Sequence, residues 1–293
     1  MASLKEIRGR IASVRSTLKI TSAMRLIASA HLHSAQNALG SAIVYRDALE
    51  GMFRRLLSDN PAAGAALEQA LRNSAACDAP DASSDRTAVV LVTSNQTLCG
   101  SFNANILREF DAAGFGKGNC TVYAVGKVGL KHLRRDGWDA VDCCSLAGKP
   151  SREAAEQLAL SLVRDFASGI FSHVEIVRAH YENPFSQPLR REVFLPLTAP
   201  AASDGASLPQ EYIVEPSPAF VVEAMLPKVL LQGFYVALLD SAAAEHAARS
   251  TAMQMASENG TALLGELTLT CNKLRQQEIT SQILDISNGQ SAE

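Results

Sequence analysis

The chain has 293 residues, 47% of them hydrophobic but only 5% aromatic, and a formal net charge of −3. This composition supports a buried core and excludes global disorder, and the slight acidity argues against nucleic-acid binding by the chain as a whole. No run of 18 apolar residues occurs and the opening Met1–Arg8 lacks an apolar leader, so neither a transmembrane helix nor secretion is expected.

Residues 1–59 contain no proline and predict one long helix, with a break near Gly40. Ser3 suits the N-cap, and Glu6 stands at the capping-box spacing. Leu4, Ile7, Ile11, Val14 and Leu18 repeat at steps of three and four, the seam of a coiled coil. The apolar pattern then passes to Ile20, Met24 and Ile27, followed by Ala28, Leu32, Ala35 and Leu39, a slip of register that predicts a stutter. Residues 1–35 carry six basic side chains against the single acid Glu6. This charge suits an acidic protein partner, an anionic membrane surface or a solvated face. Residues 60–86, mixed in Ala, Ser, Asp, Asn and Pro, read as a linker with a short helix around Ala65–Arg72.

From Thr87 the period changes. Thr87–Thr93 is a short apolar run typical of a strand buried on both faces. A turn at Leu98-Cys99-Gly100 precedes a helix over about 103–113. Further strands are expected at 121–125, 141–146, 173–180 and 191–197, the last antiparallel to its predecessor, with helices at 128–135 and 151–168. Alternating strands and helices predict a three-layer, Rossmann-like α/β domain at 87–197. Residues 198–217 form a second linker. Residues 218–293 form a second long helix, proline-free from Lys228 onward, whose last 66 residues carry four basic and seven acidic side chains. The two terminal helices, opposite in charge, are expected to pair, and the α/β domain is an insertion between them.

Catalytic chemistry is hard to find. Thr93–Gly100 lies where a phosphate loop would sit, but it holds one glycine where the dinucleotide fingerprint needs three. Lys149 is preceded by Gly148, yet Cys143 stands where a P-loop needs its first glycine, and Pro150 replaces the Ser or Thr. Cys99, at the end of a parallel strand, reads as a nucleophile or as a buried structural thiol. Adjacent Cys143 and Cys144 read as a redox pair or as two small residues at a strand end. His31 and His33, two apart on a helix, face away from each other and cannot share a metal. No metal site or cofactor is expected. The alternative to a structural subunit is a nucleotide-binding α/β enzyme with helical dimerisation arms.

Several blocks carry a resemblance. Met1–Ile11 and Lys19-Ile20-Thr21-Ser22-Ala23-Met24 resemble the N-terminal helix of the F-type ATP synthase γ subunits. Glu245-His246-Ala247-Ala248-Arg249, with Ala252 and Met253, and Asn272–Thr280 resemble their C-terminal helix. Leu98–Asn103 resembles the family's middle motif and Tyr212–Pro216 its second linker. Departures are Asn95-Gln96-Thr97 where the family commonly has Asp-Arg-Gly, Val214 for an aromatic, and Cys271 for a tyrosine.

The resemblance implies a central rotor stalk, its terminal helices an antiparallel, left-handed coiled coil inside a ring of α and β subunits. The α/β domain would sit at the foot, near the ε subunit and the membrane c-ring. Catalysis would occur on β, with proton flow turning the stalk. Met24, Arg249, Arg275, Gln276 and Thr280 would be shaft contacts to β, and Tyr212 and Glu215 foot contacts to the c-ring. Lys19 and Arg25 would act as steering charges. The resemblance also implies a peripheral location on the cytoplasmic face of a bacterial inner membrane, without direct insertion.

Overall fold

The computed structural model describes residues 3–59, 86–196, 214–215 and 217–290. The expected linkers, the short helix around Ala65–Arg72 and Tyr212 therefore lie largely or wholly outside the described residues. The chain divides into two compact units, Ala30–Ala248 and Met1–Ser29 with Arg249–Glu293, and the division cuts both long helices.

Helix α1 runs over Leu4–Asp59 without interruption at Gly40. An added Cβ there would meet nothing within 4 Å, so this glycine marks neither a turn nor a close approach. Ser3 caps α1, its hydroxyl accepting the Glu6 N–H at 3.3 Å. The Glu6 carboxylate pairs forward with Arg10 at 2.8 Å.

In the larger unit, strand β1 (Thr87–Val92) lies at the centre of a five-stranded sheet. It is followed by helix α2 (Phe102–Ala112), β2 (Cys120–Val125), helix α3 (Lys127–Arg135) and β3 (Ala140–Asp142). Helix α4 (Arg152–Ala167), β4 (His173–Ala179) and β5 (Leu189–Leu195) complete the insertion, and helix α5 covers Pro218–Gln290. The strand order is β3-β2-β1-β4-β5. β1 is parallel to β2 and to β4, and β5 is antiparallel to β4, as expected. The third strand ends at Asp142 and does not reach Leu146. The Asp142 carboxylate accepts the Cys144 N–H at 2.9 Å and turns the chain into a single 3-10 turn.

Side-chain alternation divides β1 between two cores. Ala88, Val90 and Val92 face a layer made by Ala155, Ala159 and Leu162 of α4, Leu49 and Phe53 of α1, and Leu230 and Phe234 of α5. Val89 and Leu91 face Phe102, Ile106 and Phe110 of α2 with Leu130 and Leu133 of α3. Each fully buried Leu or Phe contributes about 1.5–3 kcal/mol. A third cluster joins Leu39 and Ala42 of α1 to Val236, Leu239 and Ala243 of α5.

The smaller unit is an antiparallel pair of helix segments. Leu4, Ile7, Ile11, Val14 and Leu18 turn inward, as the seam predicts. Beyond Leu18 the half-buried and buried positions are Thr21, Ser22, Met24, Arg25 and Ala28, and Thr21, Arg25 and Ala28 among them continue the three-four spacing of the seam. Ile20, Leu26 and Ile27 instead face outward, 59%, 65% and 58% exposed. The apparent slip arises because polar residues occupy seam positions and apolar ones occupy the surface. Leu18 lies over Gly260, whose missing side chain makes the room, since a Cβ there would come within 2.7 Å of Leu18. One turn on, the Ser257 hydroxyl donates to Thr21 Oγ1 at 3.1 Å, and then Arg25 donates to Gln254 Oε1. Met253, Gly260, Leu264, Leu267, Cys271 and Leu274 form the opposing inward row, and every residue over 275–284 is exposed.

Helix α5 also contains a stretch long and apolar enough to cross a membrane, judged by length and composition. Its 18-residue window within Phe220–Leu284 reaches a mean hydropathy of 1.5, and 44% of it is buried inside the protein.

Candidate functional site

In an open α/β sheet, ligands bind beyond the carboxyl ends of the strands where the strand order reverses, here between β1 and β4. The loop after β1 is stitched inward at that place. The Ser94 N–H donates to Asn103 Oδ1 at 3.0 Å, and Asn103 Nδ2 donates to Ser94 Oγ at 2.7 Å and to Cys99 Sγ at 3.1 Å. Asn95 accepts the Lys127 N–H at 3.1 Å and donates to the Cys144 carbonyl at 3.0 Å. Ala244 and Ala248 of α5 join the same packed cluster as Cys99 and Cys144. The side chains of Ser94, Asn95 and Asn103 are thus engaged within the fold.

Two close approaches fix this end of the sheet. The Thr93 hydroxyl donates to the Val125 carbonyl at 3.1 Å and accepts the Gly129 N–H at 3.0 Å. Gly126 has φ +110°, and a Cβ there would sit 2.3 Å from the Thr93 carbonyl oxygen, so only glycine fits.

Among the described residues the cysteines are free thiols. Burial pushes Cys143 up to about 11, aided by the nearby Asp142. Burial and the Asp142 hydrogen bond raise Cys144 to about 11 as well. Both are held as protonated thiols at neutral pH, which suits the structural reading. His31 stacks on His246 at 5.2 Å, while His33 lies 3.4 Å from Asn37.

A buried polar network ties the sheet to both long helices within the larger unit. Asp240 of α5, 5% exposed, accepts from Arg178 Nη1 and from the Tyr181 N–H at 3.0 Å, and lies 2.7 Å from His180 Nδ1. Arg178 Nη2 donates to both carboxylate oxygens of Glu192 on β5 at 3.0 and 3.1 Å. The Tyr181 hydroxyl accepts from Gln36 of α1 at 2.7 Å. Beside it, Arg191 donates to Glu175 Oε1 at 3.0 Å. The sequence expectations missed this network. Its only legible trace was a charge inside two apolar runs, Arg178 in a buried strand and Asp240 in the alanine-rich helix.

The residues singled out by resemblance divide by exposure. Arg275, Gln276 and Thr280 stand on the exposed end of α5, where Thr280 Oγ1 donates back to the Gln276 carbonyl at 2.9 Å. Met24 is half-buried on α1 and Lys19 is exposed. Arg25, expected as a steering charge, turns into the seam toward Gln254. Arg249 is only 7% exposed. Glu215 is exposed. The opposite charges of the two helices meet here through the amide of Gln254, which links Arg25 to Glu258.

Comparison with known proteins agrees along the whole chain. A family model described as ATP synthase matches residues 3–292. The ATP synthase gamma chain of Phocaeicola vulgatus is 40% identical over 300 residues, covering 100% of both chains. That of Bacteroides fragilis (strain ATCC 25285) is 38% identical over 303 residues with the same coverage. That of Flavobacterium psychrophilum is 36% identical over 296 residues, covering 100% of this chain and 99% of the relative. Among solved structures, a chain of the central stalk and c-ring of the Tetrahymena thermophila mitochondrial ATP synthase superposes with a TM-score of 0.56 at 21% identity. The match covers 81% of this chain and 99% of that one. A chain of the Euglena gracilis mitochondrial ATP synthase gives 0.52 at 18% identity over 90% and 95%. The inserted sheet, the two long helices that flank it and the full-length relationship to gamma chains agree, and the chain belongs to the ATP synthase gamma chain family.

Proposed function

We propose that the chain is the central rotor stalk of an F-type ATP synthase, transmitting torque between a membrane c-ring driven by proton flow and catalytic sites on β. On this reading it performs no catalysis itself, needs no cofactor, and lies peripherally on the cytoplasmic face of the membrane. Its partners are the α and β subunits, ε and the c-ring. The packing of Ala244 and Ala248 of α5 in one cluster with Cys99 and Cys144 supports a non-catalytic role, because helix side chains then lie beside the strand ends where a nucleotide would bind. The packing of its earlier apolar face against α1 and the sheet supports a helix that stays outside the bilayer.

One geometric observation carries the assignment of contacts. The inward row of α5 stops at Leu274, and the next ten described side chains, 275–284, are all exposed. A helix end that no described residue of its own chain covers suits a surface that other subunits surround. Arg275, Gln276 and Thr280 on that end, with Met24 on α1, touch β. An arginine fork there can grip a carboxylate in one rotary position and release it in the next. Arg249, being buried, contributes from within the shaft. Tyr212 and Glu215 face the c-ring.

Co-purification tests this. The tagged chain expressed in its own cell should bring down α and β in stoichiometric amount, with ε, and the isolated chain should bind no nucleotide. Absence of α and β together with nucleotide binding by the isolated chain would sink the proposal in favour of a nucleotide-binding enzyme.

A further inference from the structure

We propose that Phe185, at the tip of the turn between β4 and β5, is an anchor that seats in an apolar pocket of the ring of α and β subunits, a partner that rests on the function proposed above. Phe185 is 84% exposed, more than any other large apolar side chain among the described residues. The other side chains of residues 182–188 brace the turn. The Asn183 carboxamide oxygen accepts the Phe185 N–H at 2.9 Å and the Ser186 N–H at 2.7 Å. The Ser186 hydroxyl donates to Glu182 at 2.7 Å, and Gln187 Nε2 donates to the carbonyls of Asn183 at 3.1 Å and Pro184 at 2.9 Å. The His180 N–H donates to the Pro188 carbonyl at 2.8 Å and closes the base of the turn. Pro184 and Pro188 fix two more backbone dihedrals. A lone exposed apolar side chain is ordinary. One carried on a backbone already ordered is different, because a partner that buries it need not first immobilise the loop.

A second loop at the same end of the sheet carries the same feature. β1 and β4 are parallel neighbours, so the segments that follow them leave at one end. Leu98, in the loop after β1, has φ +69° and is 57% exposed. A branched side chain in the left-handed region is strained, and such strain persists where the surroundings enforce it, commonly at sites that grip a partner. Here the hydrogen bonds of Ser94, Asn95 and Asn103 enforce it. Two braced loops thus each hold one apolar side chain in solvent at the carboxyl ends of adjacent strands. The occupant follows from α5 and from charge. Ala244 and Ala248 pack with Cys99 and Cys144 at this end, and Ala248 is the last residue of the larger unit. Beyond it the same helix continues to Arg275, Gln276 and Thr280, the residues proposed to touch β. Residues 181–189 carry a single charge, Glu182, which is bonded to Ser186. An uncharged aromatic tip fits the apolar centre of a protein interface, where phenylalanine is enriched and charge depleted, and not a layer of charged headgroups.

Site-specific photocross-linking in the assembled complex tests the anchor. The photoreactive residue p-benzoylphenylalanine replaces Phe185 in one tagged chain. In a second chain it replaces Ile170, which is 44% exposed just before β4 and so stands at the opposite end of the same strand. Each chain is purified from its own cell before irradiation. Absence of α and β at that step would overturn the rotor reading and the anchor with it; with both present, the cross-links judge the anchor alone. The probe at 185 should capture α or β in at least tenfold greater yield than the probe at 170. Capture of ε, of a c-ring subunit or of lipid in their place, equal yields from the two positions, or no adduct at 185 would each overturn the anchor and leave the assembly reading standing. The isolated Phe185→Ser chain should keep the urea midpoint of the wild type, and a lowered midpoint would show that the ring belongs to the fold instead.

Discussion

Asp240→Ala is the most demanding test of how the inserted sheet is held to α5. The substitution removes the acceptor of Arg178 Nη1 and of the Tyr181 N–H and the neighbour of His180. It leaves a guanidinium that is 6% exposed with one carboxylate partner in place of two. Removing one member of a buried ion pair costs about 3–5 kcal/mol. The lower end is expected here, because Arg178 keeps both oxygens of Glu192. Against the roughly 5–15 kcal/mol that holds a typical chain folded, such a loss is large. The chain has one tryptophan, Trp138, packed edge-on against Phe110 in the larger unit, so its fluorescence follows that unit. At a urea slope of about 2 kcal/mol per molar, the midpoint should fall by about 1.5 M. Replacing both partners, Arg178→Met with Asp240→Leu, should cost much less than the sum of the two single changes, since no buried charge is then left uncompensated. A midpoint shift under 0.3 M for Asp240→Ala (about 0.6 kcal/mol at that slope), or simple additivity in the double variant, would refute this account.

Three further outcomes are expected. Gln276→Ala should lower ATP turnover of the assembled complex while shifting the stability of the isolated chain by no more than about 0.5 kcal/mol, as exposed positions do; unchanged turnover would count against the β contact. Gly126→Ala should destabilise the larger unit by about 3 kcal/mol or more, because the new methyl meets the Thr93 carbonyl at a positive φ; a urea midpoint near that of the wild type would contradict the close approach. Burial raises Cys120, Cys143 and Cys144 to about 11 and Tyr123 to about 12. A raised folded value means that the stability is fully present below the ordinary thiol value of 9.0 and is lost as pH rises through about 11. Urea midpoints should be insensitive to these groups from pH 7 to 9 and fall above it, and a Cys143→Ala, Cys144→Ala chain should fall less.

The alternation of short apolar runs with amphipathic stretches, the absence of proline from the first 59 residues, and the rows of Leu4 to Leu18 were enough to determine the element types and the insertion of an α/β domain between long helices. Local patterning decides these features, because period 2 and period 3.6 cannot be exchanged. The family was also legible, since its motifs lie in contiguous blocks. Three things were settled only by tertiary structure. The seam of α1 runs through Thr21 and Arg25 while Ile20 and Ile27 face out, because a partner helix supplies Ser257 and Gln254 as hydrogen-bond partners, and hydrophobicity alone cannot register such pairs. Arg178 and Asp240, 62 residues apart, form a buried pair that no spacing rule brings together. Arg249 and Gln276 lie on one helix with similar polarity, yet one is buried and the other exposed, because the inward row of α5 ends at Leu274 and burial depends on what lies opposite.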